Sequence, residues 1–133
     1  MNSRECGNKQ LYMKNKYVTT GAVLGFLGVA IGAFGAHSLK PYISPELLES
    51  YKTGVLYHLI HAVIITAIGL SGKTQFNKGA LFLAIGIILF SFSLYIYSLT
   101  GIKALAIITP FGGVSFLAGW LMIIIASVKK TEN

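Results

Sequence analysis

The chain has 133 residues, of which 54% are apolar and only 11% charged, and its mean hydropathy is +0.69. Soluble domains carry about 25% charged residues, so this composition excludes an ordinary water-exposed domain and names lipid as the main solvent. The net charge is +7. The basic residues flank the apolar runs instead of forming the single-face patch that nucleic-acid binding needs, so nucleic acid is excluded as a partner. A single cysteine, Cys6, rules out an intrachain disulfide.

Residues 1–16 read as a polar, basic N-terminal tail containing Arg4, Lys9, Lys14 and Lys16; a start at Met13 would leave the topology unchanged. A transmembrane domain over 17–128 follows, with apolar runs at 18–36, 54–70, 79–99 and 104–128, and then a tail over 129–133. All four runs fall in the range of roughly 17 to 25 residues that spans a bilayer. In hydrocarbon their backbone groups can be satisfied only as helices. The first run exceeds the roughly 7–15 apolar residues of a signal peptide, so it is expected to be retained.

Along the first run Gly21, Gly25, Gly28, Gly32 and Gly35 are spaced 4, 3, 4, 3 and share one helical stripe. Such a stripe lets a second backbone approach closely, which drives helix association in lipid. His37 closes the stripe. In the next loop, Ser44 suits an N-cap and Pro45 the first helical position, so the second helix is expected to begin near Pro45, ahead of its apolar run. That helix carries Tyr57, and His58 and His61 three apart on one face. The third run ends in FSFSLYIYSLTG, which puts Ser91, Tyr95 and Ser98 on one face with Ser93 nearby. In the fourth, Thr109-Pro110 leaves two readings: a helix kinked at Pro110, or a short segment followed by a new helix with Thr109 as its N-cap. Gly112 and Gly119 continue the small-residue packing there. Trp120 falls mid-span, so its N–H is expected to find a buried partner.

The loops orient the chain. The N-terminal tail, the loop with Lys73 and Lys78, and the C-terminal Lys129 and Lys130 put eight basic residues on one side, against Lys40, Lys52 and Lys103 on the other. The positive-inside rule then puts both termini in the cytoplasm. The predicted fold is an all-α membrane protein, four transmembrane helices in a compact bundle, multi-pass in the plasma membrane.

In that topology His37, Tyr57, His58, His61, Ser91, Ser93, Tyr95, Ser98 and Thr109 gather in the outer half. Polar groups at such depth are a functional hypothesis by default. They read as an interhelical hydrogen-bond network, or as a site for a small molecule, a lipid or a metal. Three histidines are a common zinc set, but the spans contain no Asp, Glu or Cys to support them, so no metal and no cofactor is assigned. No nucleophile–base–orienter set is visible, so no enzyme is expected.

The motifs GAFGAH (32–37), YHLIHA (57–62), FSFSLY (90–95), Thr100-Gly101, ITPFGG (108–113) and Gly119-Trp120 occur in this order. Together they resemble the small bacterial membrane proteins of the domain-of-unknown-function 423 family, relatives of eukaryotic transmembrane protein 256, over about residues 17–128. Phe92 stands where that family's pattern usually has glycine. The resemblance implies a four-span membrane protein without an established activity. The functional expectation is a non-enzymatic protein in contact with the lipid bilayer, acting in envelope integrity or as a partner of other membrane proteins or of its own copies. The alternative is a binding or transport protein using the outer-half His/Tyr/Ser cluster.

Overall fold

The computed structural model describes residues 2–129, without the side chains of Gln10, Met13, Lys14 and Asn15, and is helical almost throughout. Of the charges that set the orientation, Lys130 and the side chain of Lys14 lie outside the described residues. Four helical stretches are long and apolar enough to cross a membrane: Lys16–Leu39, Pro45–Ser71, Thr74–Thr100 and Lys103–Val128.

The first span belongs to α1 (Ser3–Phe34), which widens into a π turn over Gly35–Leu39. The basic tail is therefore helical, and it starts at a capping box in which Asn2 and Glu5 each bond the other's backbone N–H. Pro41, which has no N–H to continue a helix, lies in the turn that follows. α2 (Pro45–Ser71) begins where the sequence signals it, with the Ser44 hydroxyl accepting the Leu47 N–H at 3.2 Å and Pro45 in the first turn. It is longer than the apolar run because Glu46, Glu49 and Lys52 sit on its exposed first turns. α2 stops at Gly72, whose φ of 67° is the left-handed conformation that glycine adopts without strain.

The third span comprises a short 3-10 turn (Thr74–Phe76), α3 (Asn77–Gly86), a π turn (Ile87–Phe92) and α4 (Ser93–Thr100). It too ends on a left-handed glycine, Gly101, at φ 70°. The fourth opens with a 3-10 segment (Lys103–Ile107) and continues as α5 (Thr109–Val128), with Pro110 in its first turn. Pro110 therefore starts a helix instead of kinking one. Thr109 is not its N-cap: it lies inside the first turn, and its hydroxyl bonds Ser93 across to α4 at 2.8 Å.

α1 packs along α2, α2 along the third span, and the third span along α5. An apolar core of Tyr17, Ala62, Ile65, Ile68, Ala80, Leu83, Ile87 and Phe116 fills the half nearer the termini. A second, smaller core of Leu39, Tyr51 and Tyr95 lies toward the opposite end, where the two loops are.

Candidate functional site

His58 is the midpoint of α2, and His61 lies one turn further on. Three residues of helix separate their directions by about 60°, and that difference sends them into different interfaces. His58 is fully buried and pairs through Nδ1 with the Tyr95 hydroxyl of α4 at 2.9 Å. Its ring packs beside Phe92, centroid to centroid 5.6 Å, and over Gly28 of α1. Nε2 is buried without a hydrogen-bond partner, and the buried Ser91 hydroxyl is likewise left unbonded.

His61 turns to α5. Its Nδ1 lies 2.6 Å from the Tyr57 carbonyl, and its Nε2 accepts the Trp120 indole N–H at 3.2 Å. A carbonyl can only accept and an indole can only donate. The two partners therefore hold His61 as the neutral Nδ1–H tautomer with both nitrogens engaged. Phe116 lies flat on the imidazole, with centroids 3.8 Å apart and planes 11° from parallel. Tyr57 and Phe90 complete an aromatic group against Phe116. This group floors an open cleft of about 670 Å³ between α2 and α5, to which Tyr57, Ile60, His61, Val114, Leu117 and Trp120 contribute.

The remaining polar residues are distributed along the third span. Ser93 bonds Thr109, and Ser98 bonds the Leu94 carbonyl of its own helix at 2.7 Å. The π turn lets both Ser91 and Ser93 be buried: Ser91 lies against Gly54 of α2, and Ser93 faces the start of α5. His37 is exposed on the π turn that ends the first span. Among the described residues no three His, Cys, Asp or Glu side chains come together as a metal site. The structure thus divides the nine residues into a His58–Tyr95–Ser91 group, a Tyr57–His61 group completed by Phe116 and Trp120, a Ser93–Thr109 tie, Ser98 on its own helix, and His37 apart.

The glycines meet their neighbours unequally. A Cβ on Gly21 would fall on the backbone of Ala62 and Thr66, on Gly28 against Leu59 and His58, on Gly32 against Val55, and on Gly35 against the Tyr51 ring. Gly25 faces open space. Gly112 lies against the backbone of Leu89 and Phe90, and Gly119 against the Gly79 carbonyl and Leu83.

Three participants had no distinctive signal in the sequence. Phe116 looks like any apolar residue of α5, yet it stacks on His61. Tyr51 lies in the early turns of the helix expected from Pro45, ahead of its apolar run, and nothing there marked its hydroxyl, which donates to the Ile31 carbonyl of α1. Ser115, between the packing glycines Gly112 and Gly119, donates to the Phe82 carbonyl of α3 at 2.7 Å.

A family model described as Protein of unknown function (DUF423) matches residues 31–113. The chain is 43% identical over 118 residues to UPF0382 membrane protein YwdK of Bacillus subtilis (strain 168), a match covering 85% of this chain and 96% of that protein. It is 38% identical over 121 residues to a UPF0382 membrane protein of Haemophilus influenzae, covering 89% and 98%. With UPF0382 inner membrane protein YgdD of Escherichia coli (strain K12) the identity is 37% over 112 residues, covering 81% and 86%. No solved structure matches the chain. Four spanning helices and relatives matched over most of their length lead to one conclusion: this is a multi-pass membrane protein belonging to the DUF423 family.

Proposed function

We propose that this protein is a non-enzymatic, compact four-helix bundle of the cell membrane with both termini cytoplasmic. In this reading it supports envelope integrity, alone or as a partner of other membrane proteins. One observation carries the reading: several polar side chains of the spans tie helix to helix. Tyr51 links α2 to α1, His58 and Tyr95 link α2 to α4, His61 and Trp120 link α2 to α5, and Ser93–Thr109 and Ser115–Phe82 link the third span to the fourth. Each main pair of neighbouring spans has such a tie. Polar groups used this way contribute about 0.6–2 kcal/mol each to helix association in a membrane and need no ligand to account for them.

A second reading rests on the α2–α5 cleft. Tyr57 is half exposed beside His61 and Trp120 in an opening large enough for a small amphiphile, so the aromatic group could receive a ligand's polar end. A metal there would require His61 to give up Trp120 or Tyr57, because both ring nitrogens are engaged.

Complementation of a deletion strain under membrane stress separates the two. Wild type, His37→Ala, His61→Ala and Gly28→Leu are compared, with each protein's amount and helicity measured. Failure of Gly28→Leu alone supports the packing reading. Failure of a folded His61→Ala protein transfers support to a binding site.

A further inference from the structure

A separate groove lies at the end of the molecule nearest the C-terminus, between the start of the third span and the end of α5. It has a volume of about 460 Å³ and is lined by Thr74, Gln75, Lys78, Met122, Ile125 and Lys129, among others. The Gln75 side-chain amide donates to the Ala126 carbonyl at 3.3 Å and joins the two walls. We propose that this groove holds an anionic phospholipid from the surrounding bilayer, with its phosphate at Lys78 and Lys129 and an acyl chain over Met122 and Ile125.

The order of the lining residues is that of a phospholipid. Lys129 lies one residue beyond α5, and Lys78 lies in the first turn of α3. Both ammonium groups therefore stand at the level where the spans meet the head groups. Ile125 and Met122 lie four and seven residues deeper along α5, about 6 and 10 Å at the helical rise. Cations at the rim and apolar side chains below match a charged head and a hydrocarbon tail. Basic pockets between membrane helices are a recurrent way of holding anionic head groups.

Charge distinguishes this groove from the comparable one at the loop end. The latter, about 430 Å³ between α1 and α2, also has two lysines, Lys40 and Lys52. There Lys52 is paired with Glu49 at 2.8 Å, the one ion pair among the described residues. No carboxylate among the described residues pairs with Lys78 or Lys129. Among the described residues the groove near the C-terminus thus has two lysines without a paired carboxylate, against one, Lys40, in the groove at the loop end, and its apolar floor suits a lipid better than a free anion.

The full chain, delipidated in a neutral detergent, is titrated with palmitoyl-oleoyl phosphatidylglycerol or with phosphatidylcholine of the same acyl chains, and bound lipid is counted by native mass spectrometry. Phosphatidylglycerol is expected to bind in preference. The double variant Lys78→Gln/Lys129→Gln should lose about 30-fold in affinity, roughly fivefold for each lysine, which corresponds to about 1 kcal/mol per basic residue at an anionic surface. Lys40→Gln/Lys52→Gln, the control for overall charge, should lose less than about threefold, because Lys52 is already paired. Ala126→Phe, which keeps the charges and fills the groove, should also weaken binding. Should that variant fail to keep its helicity by circular dichroism, the two exposed lysine pairs still decide the matter. Equal binding of the two lipids, equal losses in the two double variants, undiminished binding to a folded Ala126→Phe protein, or displacement of the lipid by inorganic phosphate would each overturn the proposal.

Discussion

α2 is held on its two sides by different physics. Toward α1 the contact is made by absence: Gly21 and Gly28 leave room for α2, and Gly69 of α2 lies in return against the backbone at Tyr17 and Val18. One tie, from Tyr51 to the Ile31 carbonyl, crosses that interface near the loop end. Toward the third span and α5 the contact is made by large side chains that both stack and bond. His58 meets Tyr95 and Phe92, and His61 meets Phe116 and Trp120. In lipid there is no hydrophobic force to press helices together, so association rests on close van der Waals contact and on hydrogen bonds. One interface relies on the first and the other combines both. The glycine interface should therefore tolerate no added volume, and the aromatic one should lose stability in steps as individual groups are removed.

The sharpest way to break this contrast is at Gly21. A side chain there would meet the α2 backbone, which can yield only by moving the helix. Gly21→Leu is expected to lose about 3 kcal/mol or more of stability, at or beyond the upper end for overpacking, as read from reversible unfolding in mixed micelles. Gly25→Leu, on the same stripe but facing open space, should stay within about 0.5 kcal/mol of wild type. Equal effects at the two sites would mean that the stripe acts through helix propensity and not through packing.

His61→Ala comes next. It removes the bond to Trp120 and the ring under Phe116 and leaves a cavity, so a loss of about 2–4 kcal/mol is expected from the same unfolding measurement. A loss below about 1 kcal/mol would show that the His61 contact with Trp120 and Phe116 contributes little to holding α5.

The smallest effect is expected at Tyr95→Phe, which deletes one hydroxyl and leaves His58 Nδ1 without its partner. A loss of about 0.6–1.7 kcal/mol follows from measured interhelical bonds in membranes. A gain in stability would instead mark the His58–Tyr95–Ser91 line, with its two unbonded buried polar atoms, as strained and kept for a purpose other than stability.

Much of the architecture was legible from the chain alone. Four charge-free runs, Ser44-Pro45 before α2, and the glycine spacing of the first run each follow from short-range rules: lipid forces helices, proline and serine mark a start, and a 4-3 spacing keeps small residues on one face. The same rules put polar residues mainly in the half away from the termini; the larger apolar core runs from Tyr17 to Phe116. What they could not supply was the pairing across helices. Spacing put His58 and His61 on one face, but a difference of about 60° in direction was enough to give them to different neighbours. His37 shares their residue type and lies exposed at the end of the first span. Gly25 shares the stripe of Gly21 and Gly28, but a side chain there would meet open space. Pro110 begins α5 after the 3-10 segment Lys103–Ile107, with Thr109 bonded across to Ser93 instead of capping the helix. Local sequence sets each helix, its ends and its faces through backbone and lipid energetics. Only the rotation and separation of the helices in the folded chain decide which faces meet, and with them whether a histidine is tied to another helix or left exposed.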